Sequence, residues 1–127
     1  MTPVDDALLL LAIVRRHLRS LRLTLDAAYP DEDWGFAAQQ AVEKLLKAWI
    51  VIDDRQPPRV HDLAELAALA GQSLDPRLLE LQVFAVEARY EEGPFLLPAP
   101  RAELLALVEA ELERCASRVA QLAGPAD

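Results

Sequence analysis

Cysteine occurs once in the chain, at Cys115, so no disulfide can close within it. With no second Cys or His at ligand spacing around Cys115, neither a redox pair nor a zinc site is supported, and no metal or cofactor is expected. Aromatic residues make up 6% and glycines number four, too few for a sandwich of short strands and frequent turns, while Ala and Leu dominate an apolar share of 53%. That bias favours helices. Nowhere does an apolar run reach the roughly 20 residues a membrane span requires, since Ala7 to Val14 is closed by Arg15 and Arg16. The same run follows Asp5 and Asp6, where a secretion signal would carry basic residues, and no small-residue cleavage site succeeds it. A cytoplasmic location is therefore expected, with no membrane contact.

Positive charge is also scarce, with 13 basic against 21 acidic side chains and a net charge of −8. Non-specific coating of nucleic acid draws most of its energy from Lys and Arg displacing counterions, so that role is excluded. The scarcity is uneven, however. Residues 1–60 carry eight basic and nine acidic side chains, and residues 61–127 carry five and twelve. An anion site would draw on the first half of the chain.

The length of 127 residues suits one domain spanning 1–127. A first helix is predicted from about Pro3, capped by Thr2, to about Ala28, burying Leu8, Leu11, Ala12, Leu18, Leu21 and Leu25. Tyr29-Pro30-Asp31 interrupts it, and a second, central helix is predicted from about Asp33 to Asp54, with Phe36, Ala37, Ala41, Leu45, Ala48 and Ile52 at helical spacing. Pro57-Pro58 ends that helix. His61-Asp62 opens a shorter one through Leu63, Leu66, Ala67 and Leu69 to Gly71, and Asp75-Pro76 starts a fourth through Leu78, Leu79, Val83 and Val86 to about Tyr90. The last, Arg101 to Ala123, spaces Leu105, Val108, Leu112, Cys115, Val119 and Leu122 as a packing seam and is stopped by Gly124-Pro125. Short connections make neighbours antiparallel. The expected fold is all-α, an up-and-down antiparallel bundle of four to five helices.

Three motifs lie in order along this framework: Phe36-Ala37-Ala38-Gln39-Gln40-Ala41-Val42-Glu43-Lys44-Leu45-Leu46-Lys47-Ala48, then Pro57-Pro58-Arg59-Val60-His61-Asp62-Leu63, then Ala88-Arg89-Tyr90. Together they resemble the HEPN domain family. The resemblance implies a helical bundle that works as a homodimer and is often encoded beside a small nucleotidyltransferase of the MNT type in toxin–antitoxin modules. Some relatives are metal-independent ribonucleases, in which an Arg followed four to six residues later by a His, from both subunits, forms a composite site. Arg55 and His61, with five residues between them, meet that spacing. Where a relative's tyrosine receives nucleotides it stands two residues after the His; Leu63 occupies that place here, so such modification is not expected.

The chemistry explains the residue types. Cleaving RNA without a metal needs a base for the 2′-hydroxyl, an acid for the leaving oxygen and positive charge for the transition state. An imidazole can be base or acid, and the planar fork of Arg55 suits a phosphate. Arg59, Lys44, Lys47, Arg89 and Tyr90 are further candidates for contact with RNA or a nucleotide. Each has a plainer reading beside it. His61 sits at a helix start and could simply order the turn. Glu43 and Lys47 could be a surface ion pair, although Gln39 and Gln40 fit better in a structural polar network near a dimer interface. Arg15, Arg16, His17, Arg19 and Arg22 read as a solvated face before an RNA-facing patch. Trp34 and Trp49 read as core or interface area, and Cys115 as inert. Two functions follow from the resemblance: a ribonuclease toxin, or a non-catalytic HEPN subunit that binds a nucleotidyltransferase or a nucleotide.

Overall fold

A computed structural model describes residues 2–124, and every regular element among them is helical. Three long helices, α1 (Pro3–Leu23), α2 (Asp31–Ile52) and α6 (Arg101–Ala123), carry the bundle. Between them lie α3 (Leu63–Ala70), α4 (Pro76–Leu79), a 3-10 segment (Glu80–Phe84) and α5 (Glu87–Tyr90). Helix α1 starts in a reciprocal capping box, with the Thr2 hydroxyl accepting from the Asp5 amide and the Asp5 carboxylate accepting from the Thr2 amide, both at 3.1 Å. Helix α3 is capped by Asp62, which accepts from the Glu65 amide at 2.9 Å, and ends at Gly71 with φ +67°. Pro125, expected to stop α6 together with Gly124, lies outside the described residues.

Helix α2 is the central element, as its composition suggested, with α1, α3, the 3-10 segment and α6 packed around it. Trp34 is fully buried and its indole N–H donates to the Leu21 carbonyl at 3.2 Å, which pins the antiparallel register of α1 and α2. Helix α6 buries Leu105, Val108, Leu112, Cys115 and Val119 as expected, and Leu104 beside them. Burial pushes the Cys115 thiol up to about 12, so it stays protonated and unreactive.

The structure corrects four expectations about helices. Helix α1 stops at Leu23 rather than Ala28, because the chain from Thr24 to Asp31 wraps its carbonyls around the guanidinium of Arg101. Its buried stripe is Ala7, Leu11, Val14, Leu18 and Leu21, so Leu8, Ala12 and Leu25 are exposed. Apolar residues cover so much of the circumference between Ala7 and Val14 that periodicity leaves the rotation open, and the register against α2 decides it. The helix expected from Pro76 to Tyr90 breaks into three pieces. Leu78, Leu81 and Phe84 are the buried residues there, at steps of three, which is the period of a 3-10 turn and not of an α-helix. Val86, placed on the buried face from the sequence, is exposed, as are Leu69 and Leu122 in the last turns of α3 and α6.

The Phe84 ring packs against Gly35 near the start of α2. A Cβ at Gly35 would fall 2.6 Å from the Phe84 ring atoms. Gly35→Ala should therefore lower stability by about 1–3 kcal/mol through overpacking, against a helix-propensity gain of about 1 kcal/mol. Urea denaturation would read the sign; a net gain would mean that the ring can move aside at little cost.

A candidate anion-facing corner at His61

Residues 39, 43 and 47 follow one another at four-residue steps along α2, which brings their side chains to one line of the helix. That line faces the turn entering α3. Glu43 is fully buried there, and four hydrogen bonds converge on its carboxylate. Its Oε1 accepts from Gln39 Nε2 at 3.2 Å and meets His61 Nδ1 at 3.0 Å. Its Oε2 accepts from Lys44 Nζ at 3.2 Å and Lys47 Nζ at 3.1 Å. Burial alone would raise the Glu43 pKa, but the combined bonds from Lys47, Lys44 and His61 outweigh it and hold the carboxyl below its ordinary value.

The glutamines are part of the same network. Gln40 donates to Gln39 Oε1 at 2.8 Å, and Gln39 Nε2 donates also to the His61 carbonyl at 3.2 Å. His61 is thus tied to α2 through its backbone and through its ring, while 66% of its side chain remains exposed. No partner takes its Nε2 among the described residues. Two ammonium groups sharing one carboxylate leave a net positive charge beside the imidazole, in a chain whose overall charge is −8. A phosphate reaching this corner would meet donors on Lys44 and Lys47 and a free ring nitrogen. The plain reading of Glu43 and Lys47 as a surface pair fails, since the carboxylate has no exposure.

The other residues singled out from the sequence fall elsewhere. Arg55 is exposed, and its guanidinium donates to the Leu69 carbonyl and lies 3.6 Å from Asp53 Oδ2. Leu69 is in the last turn of α3 and His61 precedes its first, so within one copy the two groups sit at opposite ends of a helix about 12 Å long. Arg55 instead lines a groove with Pro3, Asp6, Asp54 and Gln56. Arg59 is exposed and makes no ion pair among the described residues. Arg89 lies over the Phe36 ring at 4.7 Å, where it lines a hollow with Glu32 and Asp33, and Tyr90 beside it is 77% exposed. Phe36 and Glu43 are seven residues apart on α2, about 10 Å along its axis, so Arg89 and Tyr90 form a second locality.

Two features escaped sequence reasoning. Arg101 is a lone arginine at a helix start and carries no local signal for its role as the hub of the α1–α2 connection. His17 is half-buried on α1, and burial first, then the charges of Arg16 and Lys44, hold its pKa below its ordinary value. Its half-burial follows from the rotation of α1, which the periodicity of that helix leaves open.

No helix of the described residues is long and apolar enough to cross a membrane. Comparison with curated proteins and with solved structures gave no match. The model of the HEPN domain family matches residues 10–122, which takes in α2, the His61 turn and all but the ends of α1 and α6. This chain, with a Gln39–Glu43–His61 network joining two of the motifs that suggested the family, belongs to the HEPN domain family.

Proposed function

We propose that this HEPN-domain protein acts on RNA or a nucleotide at the His61 corner, as the metal-independent ribonuclease toxin component of a HEPN/MNT module. One observation carries the reading: His61 is anchored to a wholly buried carboxylate yet keeps most of its ring in solvent, beside two lysines. In this scheme the imidazole takes the proton of a ribose 2′-hydroxyl as the oxygen attacks phosphorus. A second acid returns a proton to the departing 5′-oxygen, and Lys44 and Lys47 balance charge on the phosphorane. A homodimer would supply that acid as the other copy's imidazole, and would be a means of bringing a guanidinium from Arg55 to a histidine that it does not contact within its own copy.

The experiment is expression of the wild type and of His61→Ala, scored by growth and by cleavage of RNA with the purified proteins in chelator. Wild type should slow growth, and His61→Ala should lose about 10²- to 10⁴-fold of the cleavage. The variant should still fold, because Gln39 and both lysines continue to satisfy Glu43. Intact RNA at high wild-type concentration would sink the catalytic reading.

The distance between Arg55 and His61 within one copy favours a second reading, a non-catalytic subunit that docks an MNT-type nucleotidyltransferase or holds a nucleotide. It expects a stable complex with a co-expressed nucleotidyltransferase encoded beside it and a thermal shift with nucleotide. Because the first reading also pairs the chain with a nucleotidyltransferase, the second is distinguished by these results together with intact RNA, and absence of both complex and thermal shift would sink it.

A further inference from the structure

We infer that Glu43 is a positioning residue that fixes the tautomer of His61, holding the proton on Nδ1 so that Nε2 is the nitrogen that gains and loses a proton at the surface. This rests on the reading of the His61 corner as the working site and assigns a role there to a residue that touches no ligand.

The direction of every hydrogen bond in the network is forced. An ammonium can only donate, so Lys44 and Lys47 require Oε2 of Glu43 as an acceptor. Gln39 must turn its NH2 toward Glu43 and the His61 carbonyl, since both are acceptors, and its oxygen toward the Gln40 NH2. A flipped Gln39 would set oxygen against two oxygens. Glu43 is therefore an ionised group offering acceptor positions only, and the ring nitrogen 3.0 Å from its Oε1 must carry hydrogen. With the proton on Nε2 instead, the Nδ1 lone pair would face a carboxylate lone pair at the same distance, in a place water does not reach on the Glu43 side. In the neutral ring, Nε2 is then left as a bare acceptor pointing away from the protein. In the charged ring, the proton that leaves is the one on Nε2.

The same geometry predicts an inversion. In Glu43→Gln the amide has a single oxygen, and two ammonium groups compete for it. Its NH2 is turned toward His61, at the cost of the bond from the Gln39 NH2 to the same position, so Nδ1 becomes the acceptor and the proton moves to Nε2.

The test is the 15N shift pattern of the imidazoles in uniformly labelled protein at pH 8.5, with His61→Ala used to separate His61 from His17. Wild type should show the pattern of a protonated Nδ1 and a bare Nε2 at His61. Glu43→Gln should show the reverse, and Gln39→Leu, which loosens the backbone tether but keeps the carboxylate, should keep the wild-type pattern. A wild-type ring protonated on Nε2, or one averaging between tautomers, would overturn the inference even if Glu43→Gln failed to fold. An unchanged pattern in a folded Glu43→Gln would overturn it as well. Where wild type cleaves RNA, Glu43→Gln should lose about 10³- to 10⁴-fold in kcat with little change in KM, the effect of presenting an imidazole in the wrong tautomer. A wild type with the expected ring and no action on RNA or nucleotide would leave the role of Glu43 standing and remove only the proposed function; the converse result would do the opposite.

Discussion

Arg101→Ala is expected to lower the stability of the fold by about 3–5 kcal/mol and the melting temperature by roughly 10–20 °C. The side chain is 10% exposed and its guanidinium serves four acceptors: the carbonyls of Thr24 at 2.7 Å, Asp26 at 2.8 Å and Tyr29, and Asp31 Oδ1 at 2.8 Å. These groups close the connection between α1 and α2, where the last carbonyls of α1 have no helical partner. Removing the fork strands several acceptors at once, and the charge of Asp31 loses its nearest cation. Arg101→Lys should recover less than half of the loss, because a single ammonium cannot span acceptors spread over eight residues of chain. Thermal unfolding followed by circular dichroism reads both variants. A drop of only a degree or two for Arg101→Ala would show that water replaces the guanidinium without cost.

The second large effect is expected at Glu43. Glu43→Ala leaves Lys44 and Lys47 without their shared carboxylate and Gln39 without one acceptor, a loss of about 3 kcal/mol, at the lower end for a broken buried pair because Lys44 can turn to solvent. The penalty should depend on pH in one direction. The folded-state carboxyl lies below its ordinary value of 4.5, so its contribution is complete above that pH and disappears as pH falls through the lower folded value. The stability difference between wild type and Glu43→Ala, from denaturant titrations at a series of pH values, should therefore be constant near neutrality and shrink below pH 4.5. A difference that grew on acidification would contradict the network, since it would require Glu43 to be protonated in the fold.

Much of the architecture is legible in local chemistry. The Thr2 and Asp62 caps, the Gly71 stop and the Leu105-to-Val119 seam are each written within a few residues, and each is found where its signal stands. The glutamines of α2 also signalled a polar network, because no ion pair accounts for them. The 76–90 segment reads as one helix because an apolar-rich stretch fits both a three-residue and a 3.6-residue period. Only the burial of Leu78, Leu81 and Phe84 separates the two, together with the Gln82 side chain, which accepts from the Leu63 amide at 2.8 Å.

The sequence by itself determined that this chain is helical, where most of its helices begin and end, and which motif places a histidine at the entry to α3, because those properties depend on neighbours within a turn or two. Only the tertiary structure decided that Glu43 is buried, that His61 rather than Arg55 shares its carboxylate, and that Arg101 holds the α1–α2 connection. The partners in those contacts are 18 residues apart for His61 and Glu43 and 77 for Arg101 and Thr24. A charge is spent on whichever opposite charge the packing brings within about 3 Å, and that choice is made by the rotation and register of whole helices.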